Sequence, residues 1–218
     1  VRGTVVALAT RAPASALPLR VPTVQAVAGR GLDGDRHADP HSPRQLLLAG
    51  SAAYDDLGLP PLALRENLLV DVDTVGLESG MLLAVGLEAV LRLSFQCEAC
   101  GALDARHPGL ARAIGARRGI LARVVQGGAI REGDPVRILD RRMAPMAEDW
   151  RERVLQVLDA APPGMVVDYA TLARLAGIQS TYCRAFPRLL ASRGYAGRAV
   201  PARSASPAPR WAGAGLWD

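Results

Sequence analysis

The run Ala89-Val90-Leu91-Arg92-Leu93-Ser94-Phe95 leads, one residue later, into Cys97-Glu98-Ala99-Cys100-Gly101. The first piece is short and mostly apolar, and it reads as a strand. The second carries two of the chain's three cysteines. Thiols at the end of a strand, next to glycine, suit sulfur or metal chemistry. The third cysteine, Cys183, lies far away, so the set makes no disulfide framework, and a reducing, cytoplasmic setting is expected.

Similar short apolar runs surround this strand. They predict strands over 4–9, 45–49, 67–72, 81–85, 87–93, 120–125 and 136–139, many bounded by Gly, Pro or Asp. Gly34-Asp35 and Gly133-Asp134 supply turns, and two short helices are predicted over 51–57 and 108–114. Many short strands with few helices predict a closed or nearly closed β-barrel.

The composition changes after residue 149. All three tryptophans, three of the four tyrosines and one of the two phenylalanines lie beyond it, and Arg141 to Met146 reads as a linker. Apolar spacing predicts a helix over 148–160, stopped by Pro162-Pro163-Gly164. A second helix follows over 169–175, closed by Gly177, and Ser180 is placed to cap a third running towards Ser192. Helix, short turn, helix is the helix-turn-helix pattern. Pro187 falls inside the third helix and should kink or shorten it. The segment 204–215, rich in Ala, Pro, Ser and Gly, reads as poorly ordered.

The 218 residues are half hydrophobic, enough for one large domain or two small ones. No apolar stretch reaches the roughly 18–20 residues of a membrane span, and the first residues lack the pattern of a signal peptide. No membrane partner is expected. The net charge is +5, and every basic residue is arginine. Seven arginines lie between Tyr169 and Trp217 with no acidic residue among them. A segment of one sign is a footprint for phosphate or another anion, and nucleic acid is the expected partner.

The residues alone leave the cysteine pair open to several readings. It reads as a buried structural pair, or as a zinc site with two of His37, His41 and His107. Structural zinc usually needs a second close ligand pair, and His37-x-x-x-His41 has Asp-Pro in its interior, so no zinc is expected. A thioredoxin-like site needs the pair at a helix N-terminus in a βαβ unit, and an all-β context argues against it. His37, after Asp35-Arg36, reads as a proton shuttle or as a residue pinning a loop. Asn67 reads as structural or pocket-lining.

An ordered set of motifs spans the first 140 residues. It runs Gly31-Leu32-Asp33-Gly34-Asp35-Arg36-His37-Ala38, Arg44-Gln45-Leu46-Leu47-Leu48, Leu64-Arg65-Glu66-Asn67-Leu68 and Gly80 to Gly86. It continues with Cys97-Glu98-Ala99-Cys100-Gly101-Ala102-Leu103, Gly119 to Val124, Gly127-Gly128 and Gly133-Asp134-Pro135-Val136. In this order it resembles the MOSC family, named after the C-terminal part of molybdenum cofactor sulfurase. The resemblance implies a β-barrel whose pocket surrounds one cysteine that carries sulfur or ligates molybdenum. That cysteine corresponds to Cys100, with Cys97 a secondary candidate. The company the resemblance implies is the molybdenum cofactor, pyridoxal phosphate by family association, and a sulfur-donor protein such as a cysteine desulfurase. Arg36, Arg65 and Arg123 are candidates to stabilise a thiolate or hold a phosphate, with Asn67 beside them.

Residues 148–203 resemble the DNA-binding domain of the alkylguanine-DNA alkyltransferase and alkyltransferase-like family. The matching residues are Val154-Leu155-Gln156-Val157-Leu158, Pro163 to Tyr169, Ala173, Leu175-Ala176-Gly177 and Arg184-Ala185. The resemblance implies a nucleic-acid surface of Tyr169, Ser180, Thr181, Tyr182, Arg184 and Arg188. The family's Pro-Cys-His-Arg motif is met by Pro201-Ala202-Arg203-Ser204, which lacks the thiol, so alkyl transfer is not expected. Cys183 is no substitute. The expectation is an α+β chain: a barrel over 1–142, a linker over 143–147 and a winged-helix-like domain over 148–218. Its chemistry would be sulfur transfer or molybdenum-cofactor-linked, directed to nucleic acid. Two rivals remain: a standalone sulfur carrier with a protein-binding second domain, and a non-enzymatic sensor of modified bases.

Overall fold

The structure is a computed structural model and describes residues 2–14 and 17–217. It divides into two compact units, Val1–Pro40 with Arg44–Pro145, and Met146–Asp218 with His41–Pro43.

The first unit contains β1 (Arg2–Thr10), β2 (Leu19–Arg20), β3 (Thr23–Val27), β4 (Gly31–Leu32), β5 (Leu46–Gly50), α1 (Ala52–Leu57) and β6 (Leu68–Val70). Then come β7 (Met81–Val85), β8 (Ala89–Gln96), α2 (Gly101–Asp104), α3 (Leu110–Ile114), a 3-10 turn (Gly115–Arg118), β9 (Ile120–Gln126), β10 (Gly128–Arg131) and β11 (Pro135–Arg142). Seven strands close in the order β11-β7-β8-β9-β5-β6-β1, and β1 pairs back to β11. The expected barrel is therefore closed. A smaller sheet, β10-β3-β4, was not legible as strands in the sequence.

Strand alternation builds two cores from the same backbone. On β8, Ala89, Leu91 and Leu93 enter the barrel interior with Leu46 and Leu48 of β5 and Ile120, Ala122 and Val124 of β9. Ala49 of β5 instead joins Ala53 and Tyr54 of α1, Leu64, Leu103 of α2, and Leu110 and Ile114 of α3 in a second apolar cluster. A leucine buried this way contributes roughly 1.5–3 kcal/mol. Leu103 thus anchors the short helix that follows the cysteine pair.

The second unit has α4 (Trp150–Ala160), β12 (Val167–Asp168), α5 (Tyr169–Leu175), a 3-10 helix (Ser180–Ala185), α6 (Phe186–Ser192) and β13 (Ala199–Val200), which runs parallel to β12. Asp149 caps α4 by accepting from the Arg151 and Glu152 N–H groups, and Asp168 caps α5 by accepting from Thr171 N–H. Val154, Leu158, Leu172, Leu175, Phe186, Leu190 and Trp211 share one core. The third predicted helix is split, as Pro187 foretold. Its first half is 3-10, and Pro187 sits in the first turn of α6, where its missing N–H costs no hydrogen bond. Ser180 does not cap. It lies inside the 3-10 helix, which starts after Gln179 and has no side-chain cap.

No helix among the described residues is long and apolar enough to cross a membrane.

Candidate functional site

Cys100 is exposed and unbridged, and Cys97 is half-buried. The reading of a buried structural pair is therefore set aside for Cys100. The loop is fixed at both ends: Cys97 N–H donates to Gly119 O at 2.8 Å, and Leu103 N–H donates to Cys100 O at 2.9 Å. Cys100 immediately precedes α2, a four-residue turn where the sequence reading placed no helix. Among the described residues no three His, Cys, Asp or Glu side chains gather as a metal site, so the zinc ligands weighed above are not assembled.

A cluster of arginines reaches this thiol through Arg65. Arg65 precedes β6 and interacts electrostatically with Arg106, Arg118, Arg36 and the Cys100 thiol. Arg11, at the end of β1, interacts with Arg65, Arg36 and Arg118, and with Asp35 in the opposite sense. Burial first, and these like charges second, lower the pKa of both Arg11 and Arg65 below the ordinary guanidinium value. Arg65 also holds φ at 56°, a left-handed backbone that a non-glycine residue adopts at a cost of about 1–3 kcal/mol.

Two of these arginines are nearly buried, Arg11 at 9 % and Arg118 at 7 % exposure. Nε of Arg11, and Nε and Nη1 of Arg118, are buried without a hydrogen-bond partner. Unpaired buried donors of this kind normally carry a cost, which an anion accepting from them would remove. Glu66 is the acidic residue nearest in character to a counterion, and it is 1 % exposed. Burial raises its carboxyl above the ordinary range, opposed by the Tyr54 hydroxyl, which donates to its Oε2 at 2.7 Å. Arg118 also opposes that rise, so Glu66 is its charge partner, and the cluster still holds five arginines against Asp35 and Glu66.

Asp35 braces the same region. Its Oδ2 accepts from Arg11 N–H at 2.8 Å and from Asn67 Nδ2 at 2.9 Å, while its Oδ1 accepts from His37 N–H at 2.8 Å. His37 Nδ1 lies 3.0 Å from that Oδ1. Burial alone would raise the Asp35 carboxyl, but the hydrogen bonds from His37 and Arg11 outweigh it and hold it below the usual range. Asn67 donates also to Ala9 O and accepts from Leu47 N–H, which makes it a brace between β1 and β5.

The predicted site residues therefore separate. Arg65 interacts with Cys100, and Arg36 interacts with Arg65. Arg123 takes a different place: it donates to Pro40 O and Gly29 O and lies beside Arg92, its partner across β8 and β9. Burial, then Arg92, bring the pKa of Arg123 down to about 10. Sequence reasoning missed Arg11, Arg106 and Arg118. Arg106 follows the motif that ends at Leu103 and Arg118 directly precedes the one that begins at Gly119, which is the signal that would have marked them; Arg11 follows β1 with no motif beside it.

In the second unit, Ser180, Thr181, Tyr182, Arg184 and Arg188 are exposed. Tyr169 is instead half-buried and packs edge-on against Phe186 at 5.5 Å. The arginine-rich segment is not one open face. Arg193 pairs with Glu152 at 2.7 Å, Arg198 donates to Leu158 O and Ala161 O at the end of α4, and Arg210 donates to Ser204 O. Cys183 lies 3.3 Å from Tyr169 O, and burial raises its thiol pKa, so its environment does not activate it.

Residues 35–137 match the family model of the MOSC domain, and this segment is a MOSC domain. No curated protein matches the chain. Among solved structures, the YUAD protein from Bacillus subtilis is 19% identical with a TM-score of 0.53, covering 62% of this chain and 94% of its own. YiiM from Geobacillus stearothermophilus is 16% identical with a TM-score of 0.53, over 86% of this chain and 99% of its own. YiiM from Escherichia coli is 16% identical with a TM-score of 0.52, over 88% and 94%. At these identities the likeness is one of fold.

Proposed function

We propose that this MOSC domain uses Cys100 as the reactive thiol of an anion-binding site, in sulfur transfer or molybdenum-cofactor-linked chemistry. The observation that supports the reading is the cluster of Arg11, Arg36, Arg106 and Arg118 about Arg65, the arginine that interacts with that thiol, with buried donors of Arg11 and Arg118 unused. A fold does not bury Arg11 and Arg118 beside like charges for stability, since replacing buried charge by apolar side chains is often neutral or stabilising. An anionic ligand accounts for them.

The residues fit the molybdenum cofactor. Cys100 offers a soft thiolate donor, and Arg11, Arg65 and Arg118 offer donors for its phosphate and other oxygens. When bound, the cofactor would supply redox and oxygen- or sulfur-transfer chemistry at the metal. The chain's own residues bind and orient the anion, and α2 holds the thiol at its edge.

The test is anion binding by the full chain, with inorganic phosphate and molybdate as probes. In the wild type, either probe raises Tm by linkage. Arg118→Met leaves Tm without anion equal or higher, because a buried like charge is gone, yet it weakens anion binding about ten-fold or more. An undiminished phosphate shift in Arg118→Met contradicts the site.

A second reading adds direction to nucleic acid. It rests on Ser180, Thr181, Tyr182, Arg184 and Arg188, exposed on consecutive turns that hold no acidic residue. Arg184 and Arg188 would neutralise phosphates, and Tyr182 would stack on a base. The Arg184→Ala, Arg188→Ala double variant is expected to flatten the slope of log K against log salt by about 1.5–2 units. Absence of binding to duplex and single strands at low salt leaves a protein-binding second unit as the answer.

A further inference from the structure

We infer that the nucleic acid taken up by the second unit is single-stranded, and that Tyr182, propped by Trp150, is the platform on which one unpaired base stacks. The inference rests on the nucleic-acid reading above and names the class of strand. It is independent of Cys100.

Tyr182 is the one exposed aromatic among the described residues. Its ring and that of Trp150 have centroids 5.0 Å apart and planes at 69°, so they do not lie flat on each other. Trp150 has contacts of its own. It packs against the core of the unit, and the Arg151 guanidinium lies 4.6 Å from its ring centroid. Tyr182 is therefore the ring with a face to offer, and Trp150 is its positioning residue. Side chains three apart eclipse in a 3-10 helix, and the one in line with Tyr182 is Ala185, too small to cover the ring.

The surroundings suit a phosphate chain. Residues 179–188 include exposed Arg184 and Arg188 and no carboxylate. The two acidic residues closest to Trp150 in α4 and its cap are already paired, Asp149 with Arg151 at 3.4 Å and Glu152 with Arg193 at 2.7 Å.

A duplex cannot use this ring. Its bases are paired and stacked, and an aromatic side chain takes only a base that is splayed out. Helix-turn-helix readers of a duplex instead lay an α-helix in the major groove. Here Pro187 divides that helix: Tyr182 and Arg184 sit on its 3-10 half, and the α-helical half spans only Phe186–Ser192. Charge alone would hold a duplex, with no contribution from Tyr182.

The experiment measures binding of the full chain, at one low salt concentration, to short labelled single strands of DNA and of RNA and to the DNA duplex. At least one single strand is expected to bind about ten-fold or more tightly than the duplex. Tyr182→Leu keeps an apolar contact with Trp150 but has no ring. It is expected to lose about ten-fold or more of the single-strand affinity and little of the duplex affinity. Tyr182→Phe keeps the ring and is expected to keep the affinity. Tighter binding of the DNA strand or of the RNA strand supports the inference and names the sugar. Equal affinity for strand and duplex, equal losses on both in Tyr182→Leu, or a Tyr182→Phe as weak as Tyr182→Leu overturns the inference while nucleic-acid binding stands. No binding to any of the three overturns the nucleic-acid reading with it.

Discussion

Cys100→Ser is expected to reduce the sulfur and molybdenum retained by the chain to background, at least ten-fold below the wild type. Cys97→Ser is expected to keep most of both. The reason is chemical. Serine offers a hard hydroxyl that neither forms a persulfide nor competes for a soft metal. The fold does not confound the test. Cys100 is exposed, it makes no disulfide, and it stands at the residue before α2, where serine is a favoured cap. Tm should therefore hold or rise slightly. Cys97 lacks the position: it is half-buried, and its fixed contact is a backbone bond to Gly119 O, which any side chain at 97 keeps. The readouts are molybdenum by elemental analysis, after expression with a molybdopterin supply, and sulfane sulfur per chain. Equal losses in both variants would mean that the pair acts as a unit. Equal retention would remove Cys100 from the chemistry and favour a barrel that only binds.

Gly119→Ala is expected to be the most damaging single methyl in the barrel. Gly119 sits at φ 108°, outside the range that a residue with a side chain adopts comfortably. A Cβ there would stand 2.1 Å from the carbonyl oxygen of Leu48 in β5. That oxygen belongs to the barrel wall beside β9, so relief requires moving a strand. We expect a loss of about 4 kcal/mol or more, a Tm fall on the order of 10–20 °C, or failure to fold. Gly58→Ala, just after α1, is the control. Its φ of 58° and ψ of 41° are left-handed helical, and nothing lies within 4 Å of the added methyl, so its cost is about 1 kcal/mol of backbone strain. The consequence reaches the site, because Gly119 O accepts from Cys97 N–H. Any surviving Gly119→Ala protein should also label abnormally at Cys100 with a thiol reagent. Equal stability of the two variants would contradict the described packing of β5 against the turn before β9.

Much of this was written locally in the sequence. The apolar alternation of β1, β5, β7, β8, β9 and β11 is long enough to mark each strand, and their number and brevity pointed to a closed barrel. The strands β2, β3, β4 and β10 escaped because they are two to five residues long and mix apolar with polar positions. Leu87, assigned to a strand, is 93% exposed in the turn before β8. Its neighbours Gly86 and Glu88 fit that turn better than its own hydrophobicity fits a strand.

The candidate site divides in the same way. Cys100 was legible because a thiol at a strand end is rare and chemically specific. Arg36 and Arg65 were legible because they lie inside motifs. Arg11, Arg106 and Arg118 were not. An arginine at the end of an element looks the same in sequence whether it meets water or four other arginines, and only the closed barrel brings residues 11, 36, 65, 106 and 118 together. Arg123 illustrates the converse. It sits in a matched motif, yet strand pairing turns it towards Arg92 and the carbonyls of Gly29 and Pro40. In the second unit, a count of like charges overstated the anionic footprint, because Arg193 and Arg198 are consumed by α4.

The proposed chemistry stands or falls with Cys100, one of the chain's three thiols. The most direct measurement is the intact mass of the wild-type chain exposed to a persulfide donor, before and after reductant, with the adduct mapped to a peptide. A gain of about 32 Da, one sulfur atom, is expected on the peptide bearing Cys100, removed by reductant. An unmodified Cys100, or an adduct confined to Cys97 or Cys183, would contradict it.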